Sequence, residues 1–470
     1  MDVAALLQHR LAESWLVGVD AARVRHLTQQ RLAELADAPP TACILLADSD
    51  PAALLAGLFA ATLARCSLAL GNPQWTATDW HRAIALLHPT HDWRSPELSS
   101  VSLPPAQPPH PPSRLPLQPH LLIPTGGTSG QLRFVIHTWE TLSASAYGFR
   151  QFLQRELVNS CCVLPLHHVS GLMQLVRSLL SGGTLTVHDY KALLQGNLPP
   201  IQPADYVISL VPTQLQRLLD QPHTLDWLRQ FHTVLLGGAP AWQALLDAAQ
   251  QQRLPIALTY GMTETASQVA TQSPEHFLQG QRSCGLALSH ARIQIWDAHG
   301  QLLPPLQVGE VRVEAASLGL GYLPLTALPS PFPTDDMGYV DEAGRLWIVG
   351  RSSDKIITGG ENVFASEVEA AIRATGLVQD VAVLGVSDRH WGEVVTAVYV
   401  AQSSNNSQPG GSQPDGSQSG DRAELETAIA QHLCTTLAPA KRPKRWVALD
   451  QLPRNQQGKL NRAALKALLE

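Results

Sequence analysis

Residues 122–130 read LIPTGGTSG. An apolar run, Leu122-Ile123-Pro124, leads straight into Thr125-Gly126-Gly127-Thr128-Ser129-Gly130. The run predicts a buried strand. The glycines after it permit a tight turn and close approach of backbone to a ligand, and the hydroxyls with free backbone N–H groups offer donors to phosphate oxygens. The spacing is not that of GxxxxGK[ST], and no lysine follows, so this is not a Walker loop. By itself the stretch reads equally well as an ordinary glycine-rich turn.

Outward from this point the chain alternates. Short apolar runs at 121–124, 161–165, 184–188, 206–211, 234–236 and 256–260 are separated by helical patterns at 138–157, 171–180 and 213–219. That alternation predicts an α/β domain with a largely parallel sheet. Before it, residues 4–36 and 52–66 carry helical periodicity around a strand-like 42–47, and residues 104–119 form a proline-rich surface connection. Residues 290–350 turn strand-rich with glycine turns, and a smaller α+β unit begins after Arg351. The stretch 402–420, SSNNSQPGGSQPDGSQSG with its flanks, has no apolar residues to bury and is expected to be disordered.

At 470 residues the chain exceeds one ordinary core, so two or three domains are expected. A net charge of −6 gives no global basic field for nucleic acid or an anionic membrane surface. The six lysines are unevenly placed, with Lys441, Lys444, Lys459 and Lys466 near the C-terminus, which suggests a positive end approaching an anion. The six cysteines show no metal-binding spacing and read as buried thiols of a reducing compartment. The N-terminus lacks the basic flank of a secretory signal, and the apolar stretch 54–63 is too short to span a bilayer. A soluble cytoplasmic protein is the expectation.

Four further segments carry chemistry. Thr259-Tyr260-Gly261-Met262-Thr263-Glu264-Thr265 places an aromatic, a hydroxyl and a carboxylate after a strand. Thr334-Asp335-Asp336-Met337-Gly338-Tyr339 follows, then residues 350–372, GRSSDKIITGGENVFASEVEAAI, and finally Gly458-Lys459-Leu460-Asn461-Arg462. Taken singly, Tyr260 reads as a core aromatic, Asp336 as a turn residue, Arg351 as a surface charge and Lys459 as a solvated tail lysine. Together and in this order, they resemble the adenylate-forming superfamily of acyl-CoA ligases, peptide-synthetase adenylation domains and luciferases.

The resemblance implies an α/β fold with a large N-terminal adenylate-forming domain of parallel-rich sheets, residues 1–353, and a small mobile α+β C-terminal domain, residues 354–470. It implies attack of a carboxylate on the α-phosphorus of ATP, with Mg²⁺ present, and then displacement of AMP by the thiol of coenzyme A. Residues 125–130 would embrace the phosphates, and Gly237, Gly238, Ala239 and Tyr260 would border the adenine. Thr263 would contact phosphate, and Glu264 would hold Mg²⁺, which keeps most of its waters and needs little protein ligation. Asp336 and Arg351 would bind the ribose, Lys459 would bridge the substrate carboxylate and α-phosphate, Asp354 would be the hinge, and Gly359, Gly360 and Glu361 would line the coenzyme A tunnel. The family's TGxPK reads Ser129-Gly130-Gln131-Leu132-Arg133 here, and its TGD reads Thr334-Asp335-Asp336.

The acid is addressed by residues 164–172, LPLHHVSGL, which resemble the LPLFHVSG of o-succinylbenzoate–CoA ligases of menaquinone and phylloquinone biosynthesis. Their substrate is an aromatic dicarboxylic acid. On this resemblance His168 lies beside the reacting carboxylate. Arg177, in an apolar helical context where an unpaired cation is costly, is the candidate partner of the ring carboxylate. The alternatives are an aryl or fatty acid–CoA ligase of another pathway and a non-catalytic adenylate-binding protein.

Overall fold

The computed structural model describes residues 2–39, 42–98, 119–126, 132–323, 326–358, 361–402, 418–454 and 460–469. Two large sheets dominate the N-terminal part. The first has eight strands in the order Leu16–Val17, Leu185–Val187, Asn159–Cys162, Tyr206–Leu210, Thr233–Leu236, Ile256–Met262, Ser267–Thr271, Leu286–Ala287. The first six strands run parallel, and the last two pairings are antiparallel. Every apolar run expected between 121 and 260 is a strand.

The second sheet has seven strands. Its centre holds Leu121–Gly126, paired in parallel with Ser67–Leu70 on one side and antiparallel with Leu132–His137 on the other. One core fills the space between the two sheets. It joins Ile44, Leu68 and Ile123 of the second sheet to Cys162 and Leu185 of the first, with Leu172, Leu175 and Leu179 of helix Val169–Ser181 among them. Helix Trp139–Leu153 packs on that helix and reaches strand Ser267–Thr271. Its start is set locally: Thr138 and Thr141 cap it reciprocally, satisfying N–H groups left over by the helix ladder.

Between 291 and 351 lies a four-stranded antiparallel sheet ordered Ala291–Trp296, Gly309–Ala315, Phe332–Val340, Leu346–Arg351, while Gly321–Leu323 and Thr326–Ala327 join the edge of the second sheet. The smaller C-terminal unit follows. Its sheet contains Glu361–Phe364, Lys355–Thr358, Gly392–Ala401 and Val378–Asp388, with Arg445–Ala448 alongside Gly392–Ala401. Helices Ala365–Ala374, Gln418–Thr436 and Arg462–Leu469 complete it. The expected fold class is therefore borne out.

Three expectations need amendment. A short strand, Leu16–Val17, interrupts the helical stretch 4–36, because its backbone pairs with Leu185 and Thr186. Helix Gln418–Thr436 takes in the last three residues of the 402–420 stretch, whose remainder from 403 to 417 lies outside the described residues, as do 104–118 of the proline-rich connection. The cysteines are all free, but Cys434 is exposed and Cys284 half-buried; only Cys43, Cys66, Cys161 and Cys162 are buried thiols.

Candidate active site

Among the described residues, the 259–265 segment meets the second large sheet through Tyr322 and the antiparallel sheet through Asp336. Strand Leu121–Gly126 carries Thr125 opposite Arg133 and Gly126 opposite Leu132. Residues 127–131, and with them Gly127, Thr128, Ser129 and Gly130, lie outside the described residues. Across from this strand end, Thr263–Thr265 forms one turn of 3₁₀ helix after strand Ile256–Met262. The neighbouring strand Leu132–His137 is tied to this turn by His137, whose Nε2 donates to the carbonyl of Thr263 at 2.8 Å while Nδ1 meets Thr141 Oγ1 at 2.9 Å. Complete burial pushes the His137 imidazole down to about 4, so it serves as a neutral bracket between the sheets.

Glu264 is positioned from two sides. Its backbone carbonyl accepts from the N–H of Gly319 at 2.8 Å, and its Oε1 accepts from the hydroxyl of Tyr322 at 2.6 Å. Burial, with the neighbouring carboxylate, raises the Tyr322 phenol well above its ordinary range, so it stays protonated and donates. The guanidinium of Arg133 stacks over the Tyr322 ring, 5.5 Å from its centroid. The arginine that replaces the family's lysine thus sits against the ring that holds Glu264. Among the described residues no cluster of three His, Cys, Asp or Glu could cage a metal. A Mg²⁺ that arrives with a triphosphate and keeps its waters needs only the one carboxylate Glu264 supplies, so the donor set fits the ion.

The chain after Glu264 is strained. Ala266 and Ser267 have φ of 50° and 83°, a conformation uncommon outside glycine. Buried hydrogen bonds enforce it: Ser145 Oγ donates to the Ala266 carbonyl at 2.6 Å, and Thr265 Oγ1 donates to the Ser267 carbonyl at 2.7 Å. The turn brings Ser267 and Gln268 under helix Val169–Ser181, where Arg177 Nη2 donates to Ser267 Oγ at 3.1 Å and to Gln268 Oε1 at 2.6 Å. Arg177 is 2% exposed, lies 4.3 Å over the ring of Phe149, and pairs with no carboxylate among the described residues. Burial lowers its guanidinium to about 9, yet it remains charged at neutral pH. His168 occupies the position just before the same helix, with its ring 4.3 Å from that of His167.

The ribose candidates form a relay. The Tyr260 hydroxyl donates to Asp336 Oδ2 at 2.8 Å, and Arg351 Nε donates to Asp336 Oδ1 at 3.1 Å across neighbouring strands. Burial, then the Asp336 charge, raises the Tyr260 phenol well above its usual value and keeps it a donor. Gly237, Gly238 and Ala239 follow strand Thr233–Leu236. A side chain at Gly237 would overlap Thr259 Oγ1, and Gly238 has φ of 78°, so both positions require glycine. Asp335, where the family has glycine, has its own partner: its carboxylate accepts from the N–H of Ser353 at 3.1 Å and from the Ser353 hydroxyl.

Of the C-terminal candidates, Asp354 is half-buried and Glu361 is exposed at the start of its strand, whereas Gly359, Gly360 and Lys459 lie outside the described residues. Sequence reasoning missed Tyr322, His137 and Gln268, which belong to no motif. A cavity of about 560 Å³ is lined by Gly148, Gln151, Phe152, His276, Leu286 and Ser289; none of the residues assigned to phosphate, ribose or metal lines it. The site is therefore located by its chemistry, not by cavity size.

Comparison with known proteins shows the family and the fold. The family described as AMP-binding enzyme matches residues 24–323, and the AMP-binding enzyme C-terminal domain matches residues 367–459. The chain is 33% identical over 353 residues to a 2-succinylbenzoate–CoA ligase of Geobacillus sp. (strain WCH70), spanning 73% of this chain and 68% of that one. It superimposes with a TM-score of 0.79 on the o-succinylbenzoate CoA synthetase of Bacillus subtilis in complex with its acyl-adenylate intermediate, at 25% identity over 98% of this chain and 97% of that one. ATP-bound MatB from Rhodopseudomonas palustris shares the fold with a TM-score of 0.78 at 21% identity, over 99% of this chain and 98% of that one.

Proposed function

This chain belongs to the family of AMP-binding enzymes, and from that premise we propose that it is an ATP-dependent acid–CoA ligase that activates 2-succinylbenzoate and transfers it to coenzyme A, in the cytoplasm, for quinone biosynthesis. In the first step the succinyl carboxylate attacks the α-phosphorus of ATP and pyrophosphate leaves. In the second the thiolate of coenzyme A attacks the acyl carbon and AMP leaves.

The residues divide the work. Thr125 to Gly130 and Thr263 bind phosphate oxygens; Gly237, Gly238, Ala239 and Tyr260 border the adenine; Asp336 and Arg351 take the ribose hydroxyls, a carboxylate being able to accept from both at once. Glu264 would hold Mg²⁺, which when bound would neutralise charge on the phosphates. Lys459 places a cation between the acid and the α-phosphate, where negative charge concentrates in the first transition state. His168 lies beside the reacting carboxylate. The domains divide at 353/354, Asp354 is the hinge between them, and Gly359, Gly360 and Glu361 line the path of the pantetheine.

One observation carries the choice of acid. Arg177 is buried and charged, and no carboxylate among the described residues neutralises it. A desolvated cation without a counter-ion is expensive, and the ring carboxylate of 2-succinylbenzoate is the missing partner. The names of the relatives support the same reading.

The test is incubation with 2-succinylbenzoate, ATP, Mg²⁺ and coenzyme A, following AMP, pyrophosphate and thioester, with benzoate and a fatty acid as competitors. Thioester from 2-succinylbenzoate alone is the expected result. Preference for another acid transfers the chain to a different ligase activity, and no AMP from any acid would leave a binding protein. Arg177→Ala raises KM for 2-succinylbenzoate and leaves KM for ATP nearly unchanged.

A further inference from the structure

The acid end of the site holds more unpartnered donors than Arg177 alone supplies. Arg177 Nε, Gln268 Nε2 and both ring nitrogens of His290 are shielded from solvent, with no hydrogen-bond partner among the described residues. Gln268 Oε1 is already used by Arg177, which leaves its amide N–H₂ as the free end. Arg177 and Gln268 are 2% and 5% exposed. Native proteins rarely leave buried donors unpaired, and three of them in one place call for an explanation.

His290 stands just before strand Ala291–Trp296, where its carbonyl accepts from the N–H of Ala316 at 2.9 Å, anchoring the backbone. Its ring lies over helix Trp139–Leu153 at Gly148: a Cβ there would overlap Nδ1 and crowd Cγ and Cε1. The next residue, Phe149, is the one whose ring lies under Arg177. Adjacent residues of one helix thus touch His290 and Arg177, and the Arg177 charge acts on the His290 ring. Burial, helped by the Arg177 charge, brings the His290 imidazole down to about 4, so the ring is neutral, with one N–H and one lone pair. Nδ1 faces the Gly148 wall, which leaves the Nε2 N–H as the donor available to a ligand.

Arg177, the Gln268 amide and the neutral His290 ring each have an N–H to donate, and one of the three carries a full positive charge. The complementary group accepts only, is anionic and has room for several donors. An ionised carboxylate meets all three requirements. We propose that His290 is a specificity-determining residue, whose ring N–H joins Arg177 and the Gln268 amide in seating the second carboxylate of the aromatic acid, and that glycine at 148 is the space that admits the ring. The inference rests on the substrate reading above and adds to it a residue outside every motif of the sequence.

The matched variants are His290→Met, of similar volume with no donor, and His290→Gln, which keeps one; Gly148→Ala tests the space. Each is assayed by pyrophosphate release with 2-succinylbenzoate and with 4-oxo-4-phenylbutanoate, the same chain without the ring carboxylate. In His290→Met the ratio of kcat/KM for the two acids falls by about 10- to 100-fold, the range for losing a hydrogen bond to a charged group. His290→Gln recovers much of that ratio, Gly148→Ala loses it, and KM for ATP stays nearly constant throughout. Equal effects on both acids, or no difference between the Met and Gln variants, overturn the role of His290. A wild-type enzyme that releases no pyrophosphate with 2-succinylbenzoate overturns the substrate reading instead, and that arm needs no variant.

Discussion

The Asp354 carboxylate lies 3.1 Å from Nε of Arg462, joining the link between the antiparallel sheet and the C-terminal sheet to the helix that follows Lys459. The same guanidinium donates to Glu369 Oε1 at 2.7 Å and to the Val383 carbonyl at 2.6 Å. On the other side of the link, Asp335 holds Ser353. The proposed hinge residue is thus held by Arg462 of the C-terminal part, while its neighbour Ser353 is held by Asp335 of the antiparallel sheet.

Asp354→Pro fixes φ near −65° at that point and removes the carboxylate from Arg462. The expected outcome is loss of one half-reaction with the other retained. Single-turnover pyrophosphate release reports the first, and breakdown of supplied acyl-adenylate by coenzyme A reports the second. Unchanged turnover, or equal loss in both, counts against a hinge at Asp354.

Lys459→Ala removes the one cation proposed to meet the acid and the α-phosphate. Adenylate formation falls by roughly 10²–10³, the usual effect of deleting one preorganised electrostatic contact, while thioester formation from supplied adenylate is spared. Parallel loss in both assays would show that Lys459 supports the fold or both chemistries.

Tyr322→Phe deletes the 2.6 Å hydrogen bond to Glu264 but keeps the ring under Arg133. Groups that orient a metal-binding carboxylate typically contribute about 10- to 100-fold in metal affinity or activity. The variant needs more Mg²⁺ for half-maximal adenylation, Glu264→Gln needs more still, and a chelator silences all three proteins. A Mg²⁺ titration superimposable on wild type would make Tyr322 a packing residue only.

His137 sets a pH dependence on stability. Its pKa is about 4 in the folded protein against 6.5 when unperturbed, because burial disfavours the charged ring. Between those values the unfolded chain binds the extra proton and the folded protein does not, so stability falls as pH falls from 6.5 towards 4. The slope from one such group approaches about 1.4 kcal/mol per pH unit. Melting temperature recorded across this window declines towards acid, and His137→Gln shallows the decline. Equal slopes in both proteins would place the acid sensitivity at other groups.

Much of the site was legible in the sequence because its chemistry is carried by short contiguous segments. Tyr260, Glu264, Asp336 and Arg351 each sit in a run whose neighbours announce a strand followed by a turn, and the structure brings Tyr260, Asp336 and Arg351 into hydrogen-bond contact. The apolar runs of the parallel sheet were equally plain, since strands buried on both faces read as unbroken hydrophobic stretches. The start of helix 418–436 was hidden because its first residues share the polar composition of the stretch before it.

The sequence by itself determined the α/β class and the order of the strands along the chain, and its motif segments carried the resemblance that implies the nucleotide chemistry, because periodicity and motif spacing are local properties of the chain. Only the tertiary structure decided which distant residues serve those segments. Tyr322 reaches Glu264 because its strand pairs with Leu132–His137. His137 reaches Thr263 across 126 positions. Arg177 faces Gln268 rather than solvent because helix Val169–Ser181 is buried between two sheets. Such contacts depend on sheet register and on which helix face meets the core, and these are settled when the whole core closes.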